Sequence, residues 1–183
     1  MFQNPVLGVL VGAVLTGIIQ SSSASVGILQ ALSATGAVTY AAAVPIIMGQ
    51  NIGTCVTALL SSLGTNKNAK RAAVVHLSFN VIGTVVWLSV FSIISAVFQP
   101  AILDASASYL GIAIAHSAFN VLCTILLLPM SSLLEKLAYK LVPEGKEAEK
   151  AVELDDRLLA TPTIALAEAE KLVRKMAGEA VDG

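Results

Sequence analysis

Five apolar stretches follow one another along the first 134 residues and are separated by short polar segments. As helices, the first two (residues 5–19 and 24–34) would reach roughly 16 to 22 Å, less than the bilayer core of about 30 Å. Between them lies Gln20-Ser21-Ser22-Ser23, which is costly against lipid but tolerated where a hairpin tip is buried in protein or lines a wet cavity. The pattern predicts a re-entrant helix-tip-helix hairpin over residues 5–34.

The third stretch, residues 41–63, is long enough to span a membrane but is interrupted by Gly49-Gln50-Asn51-Ile52-Gly53-Thr54. Glycine has a poor helix propensity and amides are costly in hydrocarbon, so this segment is interpreted as a broken transmembrane helix with a local unwound stretch. A continuous helix whose glycines permit a close helix crossing is the alternative. Residues 72–98 and 106–130 are free of charged side chains and predict two full transmembrane helices.

The charged residues are distributed very unevenly. They make up 13% of the chain, against about 25% in an average soluble domain, and the first 134 residues hold only 4 of the 23. The fold class expected is therefore an all-α integral membrane domain over residues 1–134, followed by a soluble helical tail over residues 135–183. A net charge of -1 without a basic patch argues against nucleic acid as a partner.

The same charges predict the orientation in the membrane. The loop around Lys67, Lys70 and Arg71 is basic and contains no acidic residue, so the positive-inside rule assigns it to the cytoplasm. Two spans later the chain emerges at Glu135, on the same side, which makes the tail cytoplasmic and places the connection with Asp104 outside. In the tail, Thr161-Pro162 is a candidate helix start, and Glu170 and Arg174 lie four residues apart on an amphipathic helix whose apolar stripe needs a partner helix.

The hairpin tip carries the main candidate chemistry. Its serine hydroxyls, the Gln20 amide and the unsatisfied N–H groups at the start of the second half-helix can bind an anion without a lysine. The same oxygen atoms suit a hard cation such as sodium. A merely flexible turn is the alternative for this segment.

Two further groups of polar residues lie within the apolar stretches. The interrupted helix offers Gln50, Asn51, Gly53, Thr54 and Thr57 at membrane depth, as the discontinuous helices of secondary transporters do. A weak internal repeat pairs His76 and Asn80 with His116 and Asn120 at the same spacing, followed in each case by a threonine. Hydrogen bonding between helices and a direct role in a site are both open for these residues. Cys55 and Cys123 are expected to be buried thiols.

These motifs together resemble the type II sodium/phosphate cotransporter family. The resemblance runs from about residue 5 to 134 through Gly12, Thr16 and the QSSS sequence, the GxNxGT sequence after Gly49, and Ala69-Lys70-Arg71-Ala72 with His76 and Phe79-Asn80. From Leu154 through Thr161-Pro162 to Met176 the tail is similar to the start of the PhoU-like helical region of bacterial members. The resemblance implies a sodium-coupled phosphate symporter, multi-pass in a bacterial inner membrane, in which QSSS hairpins from two inverted repeats meet around the substrate.

The resemblance also implies functional residues. Phosphate and sodium would contact Gln20, Ser21, Ser22 and Ser23, and Asn51, Gly53 and Thr54 would line the same cavity. Sodium would be held by Ser21, Ser22, Ser23, Asn51 and Thr54, and Gln50 of the interrupted helix is added to the site from its position in the sequence. Secondary candidates are Thr16, Thr57, His76, Asn80, His116 and Asn120. The chain has one QSSS and one GxNxGT sequence where the family has two of each. Either the chain is a fragment carrying the second repeat, which is the favoured interpretation, or two copies must assemble, or it does not transport by itself.

Functions of two other classes compete with transport. A hairpin serine paired with His76 or His116 would make an intramembrane serine hydrolase, but the serines lie between Gln20 and Ala24 rather than in the glycine-framed turn of an activated nucleophile. A phosphate-responsive regulatory membrane module, with the tail docking a cytosolic partner, is the other alternative. No enzymatic cofactor is expected, and sodium enters only as the coupling ion.

Overall fold

The computed structural model describes residues 4–143 and, in the tail, residues 166–178 apart from 168, 172 and 175. The chain divides into two compact units, Met1–Glu144 and Gly145–Gly183. The first unit contains the helices α1 (Pro5–Ile19), α2 (Ser22–Ser33), α3 (Tyr40–Ser61), α4 (Lys67–Phe98), α5 (Tyr109–Leu127) and α6 (Ser131–Leu141), with 3-10 turns at Ala101–Asp104 and Leu128–Met130. The predicted all-α class is confirmed for the described residues, of which α3, α4 and Tyr109–Leu141 are long and apolar enough to cross a membrane.

Polar side chains at the helix starts explain where several helices begin. Asn4 accepts a hydrogen bond from the Val6 amide ahead of α1, and Pro5 occupies the first turn, where its missing N–H costs nothing. Asn66 caps α4 through the Ala69 amide at 2.9 Å, so this helix begins five residues before the predicted apolar span. Ser108 caps α5 through the Gly111 amide at 3.0 Å. The predicted hairpin helices are present, and α2 begins at Ser22 rather than at residue 24.

The helices α1 and α3 run parallel and approach each other very closely. A Cβ atom at Gly8 would lie 2.9 Å from Cβ of Pro45, and one at Gly53 would lie 2.6 Å from the Ala13 carbonyl oxygen. Near Gly17, the far end of α1 reaches the level of Val56. Small residues on both helices therefore allow the two backbones to pack almost in contact.

The predicted break in the third helix is wrong. The helix α3 is continuous from Tyr40 to Ser61, through Gly49, Gly53 and the internal Pro45. The physical reason is the packing on α1, because a Cβ atom at Gly49 would collide with the backbone of Val9. The glycines provide a close helix crossing, which was the alternative interpretation, and do not mark an unwound segment.

At one end of this unit, called the Asp104 end here, backbone hydrogen bonds join the segments that lead into α3 and α5. The amide of Tyr40 donates to the Ala105 carbonyl, and the amide of Ala107 donates to the Val38 carbonyl. Gln30 near the end of α2 donates to the backbone oxygen of Tyr109 at 3.1 Å. The nearby core contains Leu29, Ala43, Ile46, Ile47, Ala107 and Ile112. The end of α2 that lies farthest from the hairpin tip is thus held against the starts of α3 and α5.

The opposite end, called the Lys67 end, holds the start of α4 and the helix α6. Leu134 and Ala138 bury one face of α6, and the Arg71 guanidinium lies 4.0 Å from the centre of the Tyr139 ring. Arg71 also donates through Nε to the Val142 carbonyl at 3.0 Å. This cationic side chain therefore connects the start of α4 to the end of α6.

The tail unit is helical at its described residues between 166 and 178. Arg174 and Glu170 form the predicted pair four residues apart, at 2.8 Å. Thr161, Pro162 and most of the PhoU-like resemblance lie outside the described residues.

Candidate functional site

The hairpin tip consists of two residues, Gln20 and Ser21, of which the first has a left-handed backbone and the second an extended one. Gln20 ends α1 in the left-handed region, with φ of 57° and ψ of 24°, and its N–H donates to the Thr16 carbonyl at 2.7 Å. Ser21 is extended and caps α2, where its hydroxyl oxygen accepts a hydrogen bond from the Ala24 amide at 3.3 Å. The connection between the helices is therefore short, and Ser22 and Ser23 belong to the first turn of α2.

This first turn offers several polar groups to a ligand. Backbone N–H groups at a helix start have no partner within the helix, and the helix dipole adds positive potential there. The hydroxyl oxygens of Ser21 and Ser23 lie 3.3 Å apart. Gln20 and Ser23 are exposed, whereas Ser21 and Ser22 are half-buried. The tip thus combines donors and acceptors that a molecule outside the hairpin can reach.

Next to the tip lies a buried group of three side chains, called the buried node here: Thr16 of α1, Ser25 of α2 and Gln50 of α3. The Thr16 hydroxyl donates to the Ser25 hydroxyl oxygen at 2.7 Å. Gln50 donates through Nε2 to the same oxygen at 2.9 Å and to the Ser25 carbonyl at 3.0 Å. All three residues are at most 1% exposed. The hairpin and α3 are therefore joined by polar bonds in the interior.

The orientation of the Gln50 amide follows from its partners. A backbone carbonyl can only accept, so the amide nitrogen must face the Ser25 backbone. The other amide atom, Oε1, is buried and has no hydrogen-bond partner in the described part of the chain. A buried acceptor of this kind is costly, which marks Gln50 Oε1 as an atom available to a donor or a cation.

Gln50 also lines a cavity of about 640 Å³ among α1, α2, α3 and α4. Its lining extends to Thr39 and Asp104 at the Asp104 end and is otherwise mainly apolar, with Phe91 and Ile46 among its walls. The tip residues Gln20 to Ser23 do not line this cavity. The hairpin tip and the Gln50 side chain therefore face different spaces.

The other α3 candidates are engaged mainly within their own helix. The Asn51 side chain donates to the Ile47 carbonyl at 2.9 Å, and the Thr54 hydroxyl donates to the Asn51 carbonyl at 2.6 Å. Thr57 donates in turn to the Thr54 carbonyl at 2.8 Å. Gly53 is covered by α1. Among the described contacts, Gln50 is the α3 candidate that hydrogen-bonds to the hairpin.

The two halves of the His/Asn repeat have different surroundings. Asn80 is buried and donates to the Cys55 sulfur at 3.4 Å and to the His76 carbonyl at 3.0 Å. Asn120 is half-buried and donates to the His116 carbonyl at 2.8 Å. The His76 side chain is exposed and that of His116 is half-buried. Neither repeat half is hydrogen-bonded to the hairpin tip in the described structure.

Sequence reasoning missed Ser25. Ser25 is fully buried, and its hydroxyl accepts two side-chain hydrogen bonds. A weak signal was present in the spacing, because Ser25, Leu29 and Ser33 recur every four residues and line the buried face of α2. The partners of that face could not be read from the spacing.

The described residues contain no group of three or more His, Cys, Asp or Glu side chains that could hold a metal ion. The polar groups near the hairpin tip are hydroxyls, amides and backbone carbonyls, because residues 1–66 contain no charged side chain. Ligands of this kind suit hard cations rather than zinc or copper.

Membrane-length helices with a polar helical hairpin in their midst are typical of transport proteins. The Na+/Pi-cotransporter family matches residues 1–124, and the chain belongs to that family. No solved structure matches the chain significantly.

Several relatives cover part of the chain. It is 34% identical over 134 residues to the uncharacterized protein YqeW of Bacillus subtilis, covering 73% of this chain and 43% of that protein. It is 37% identical over 116 residues to sodium-dependent phosphate transport protein 2A of Rattus norvegicus, covering 60% of this chain and 16% of the relative. The human transport protein 2B is 41% identical over 85 residues, which are 44% of this chain and 12% of the relative. The chain thus spans less than half the length of these curated relatives.

Proposed function

We propose that this chain forms one of the two repeats of a sodium-coupled phosphate symporter, with the hairpin entering a cell membrane without crossing it. The observation that carries the proposal is the pair of hydrogen bonds between Ser25 and Gln50. They join the two sequence motifs of the family resemblance, the QSSS hairpin and the GxNxGT helix, at one place. The proposed ligand-contacting residues are Gln20, Ser21, Ser22 and Ser23 at the tip and Asn51 and Thr54 on α3. Of the other two candidates, Gln50 lines the separate cavity and Gly53 is covered by α1.

Phosphate would bind at the start of α2. An anion there receives hydrogen bonds from backbone N–H groups and from the hydroxyls of Ser22 and Ser23, and it is stabilised by the helix dipole. No charged side chain is needed, which fits the absence of charge from residues 1–66. A weakly charged site also suits a transporter, because substrate must leave as well as bind.

Sodium would use oxygen ligands in the same region. The hydroxyls of Ser21, Ser22 and Ser23, the side-chain amide oxygen of Asn51 and the hydroxyl of Thr54 supply the proposed set. The Thr54 hydroxyl donates its proton to the Asn51 carbonyl, so its lone pairs remain available. Binding a cation beside the phosphate reduces the electrostatic cost of the anion, and this reciprocal stabilisation is the physical basis of coupled transport.

The re-entrant path is supported by helix lengths. The helix α1 has 15 residues and runs parallel to α3, which has 22; at 1.5 Å per residue these are about 22 and 33 Å. Gly17 faces Val56, so the chain turns at Gln20 within the length of α3. A tip at this depth must be covered by protein or water, and a second QSSS repeat is the proposed cover.

The test measures sodium-driven phosphate uptake by the two-repeat transporter that contains this chain. Replacing Ser22 with alanine removes a hydroxyl from the site, and the expected loss of phosphate affinity is roughly five- to a hundredfold, the range for one buried hydrogen bond. Ser89→Ala is the matched control, since the Ser89 hydroxyl is exposed on α4 and bonds to the Val85 carbonyl of its own helix. Equal phosphate and sodium affinities in the Ser22 variant and the control would reject the proposed site.

The proposed orientation has its own test. Single cysteines at positions 67 and 104, in a background without Cys55 and Cys123, are treated with a membrane-impermeant maleimide in intact cells. Labelling at 104 but not at 67 is expected, because the basic start of α4 and the tail are proposed to be cytoplasmic. The reverse pattern would invert the assignment.

A further inference from the structure

Ser25 is the residue through which all three helices of the buried node are connected. Its hydroxyl oxygen accepts hydrogen bonds from Thr16 of α1 and Gln50 of α3, and its carbonyl accepts a second bond from Gln50. Its exposed fraction is 0%. A buried hydroxyl that accepts from two donors fixes the positions of both donors relative to one another.

The buried node is also directly connected to both residues of the hairpin tip. Thr16 receives the backbone hydrogen bond of Gln20 at 2.7 Å, and the Ser25 amide donates to the Ser21 carbonyl at 3.0 Å. The side-chain bond between Thr16 and Ser25 therefore closes a ring that contains the whole tip.

We infer that Ser25 is a positioning residue that fixes the hairpin tip for ligand binding without contacting the ligand itself. This inference rests on the proposed function, because it assigns Ser25 to the same site. The bond between Ser25 and Thr16 holds together the two helix ends that flank the tip. The bonds between Ser25 and Gln50 fix the position of the tip along the axis of α3. The serine hydroxyls of the tip then meet the ligand in one arrangement, without loss of conformational entropy on binding.

The inferred role differs from simple stabilisation of the fold. In a Ser25→Ala variant, Gln50 keeps its bond to the Ser25 carbonyl, and the Thr16 hydroxyl can donate to the carbonyl four residues earlier in α1, as helical threonines do. Both donors therefore retain an acceptor, and the helices remain packed through their glycines. The two bonds that the Ser25 hydroxyl accepts are lost, and the one from Thr16 is the bond that joins the two sides of the tip.

A mobility measurement tests this without any transport. The purified full chain, with Cys55 and Cys123 replaced and Ser23→Cys introduced, carries a nitroxide spin label at position 23. Ser25→Ala is expected to increase the mobile fraction of the spectrum. The matched control is Ser33→Ala, because Ser33 is also a buried serine of α2 but its hydroxyl bonds to the Gln30 carbonyl at 2.7 Å, far from the tip. Equal spectra for the two variants would overturn the inference.

A second pair of variants separates the hydroxyl from side-chain shape. Thr16→Val removes the donor to Ser25 and keeps the branched shape, whereas Thr16→Ser keeps the donor and loses a methyl group. The valine variant is expected to loosen the tip as Ser25→Ala does, and the serine variant to do so less. The opposite order would show that packing, not the hydrogen bond, holds the tip. If Ser25→Ala reduces the yield of folded protein, the two Thr16 variants still show whether the hydrogen bond fixes the tip.

Uptake kinetics in the two-repeat transporter complete the test. Ser25→Ala is expected to raise KM for phosphate about fivefold or more, the effect of losing one buried bond, while the thermal midpoint stays close to that of Ser33→Ala. A lowered midpoint with an unchanged KM would make Ser25 a purely structural residue. Absence of sodium-driven uptake in the unmodified transporter would reject the proposed function, whereas the spectra would still decide whether Ser25 fixes the tip.

Discussion

Polar side chains in the hairpin region and on α4 and α5 satisfy their hydrogen bonds in different ways. In the buried node, Thr16, Ser25 and Gln50 bond across three helices. On α5, Asn120 donates to the carbonyl four residues earlier in its own helix, and Asn80 of α4 does the same while also donating to the Cys55 sulfur of α3. Bonds between helices fix relative positions, whereas bonds within one helix only satisfy a buried group. The bonds of the buried node therefore indicate that the position of the hairpin relative to α3 is the feature that the fold fixes.

The glycines of the two regions also differ, in whether backbone or side-chain atoms pack against them. A Cβ atom at Gly49 of α3 would meet the backbone of Val9, which cannot move away by rotating a side chain. A Cβ atom at Gly83 of α4 would lie 2.5 Å from the sulfur of Cys123, which is a side-chain atom. A larger residue at Gly49 therefore requires the α1 backbone to move, whereas one at Gly83 can be accommodated by movement of a side chain.

The largest expected effect is that of Gly49→Ala. The collision with the Val9 backbone must separate α1 from α3, and overpacking typically costs about 1 to 3 kcal/mol or more. Gly83→Ala is expected to cost less, and Cys123→Ala should restore its stability because the clashing sulfur is gone. Thermal unfolding of the purified variants in detergent measures both.

A substitution at Val9 is the control for the comparison of the two glycines. Val9→Ala should not rescue Gly49→Ala, since the contact is with backbone atoms that every residue has. Rescue by Val9→Ala, or equal costs at both glycines, would contradict the difference between the two interfaces.

A smaller effect with opposite consequences for stability and binding is expected at Gln20. A side chain in the left-handed region costs about 1 to 2 kcal/mol relative to glycine, so Gln20→Gly should stabilise the hairpin by a fraction of that amount while removing the tip amide. Phosphate affinity should fall. Gln99→Gly is the matched control, because Gln99 ends α4 with φ of 42° outside the proposed site. Thermal midpoints and phosphate KM should separate the two: both variants gain stability, and affinity falls in the Gln20 variant alone.

The smallest expected effect compares the two asparagines. Asn80→Ala removes a buried side chain that bonds to two acceptors and should cost about 1 kcal/mol. Asn120→Ala should cost less than half as much, because its side chain is only half-buried and bonds within α5. Unfolding in a denaturing detergent series measures the order. A larger loss at Asn120 would show that α5 makes polar contacts beyond those described.

Much of the fold could be predicted because its signals are local. The apolar run from Pro5 to Ile19 is bounded by a capping asparagine and a polar tip, and α1 begins and ends there. The early start of α4 was missed because Lys67 and Arg71 do not belong to an apolar pattern, although Asn66 is a capping residue that could have indicated it.

The continuity of α3 and the role of Ser25 could not be predicted because both depend on distant partners. A glycine favours unwinding when its helix face meets water, and close packing when another backbone approaches; Gly49 meets Val9, which lies 40 residues earlier in the sequence. Likewise, a serine in an apolar helix gives no sign that its acceptor oxygen will face Gln50, 25 residues away. Long-range contacts, not propensity, decide both features.

Reconstitution of the purified chain in liposomes tests most directly whether it supplies half of a phosphate site. Labelled phosphate uptake under an inward sodium gradient is measured together with the mass of the protein in detergent, with and without a second QSSS repeat. Because inverted-repeat transporters bind substrate at the interface between repeats, uptake is expected only when two repeats are assembled, either as two copies or as a two-repeat protein. Sodium-driven uptake by a demonstrated monomer of residues 1–183 would contradict the proposal.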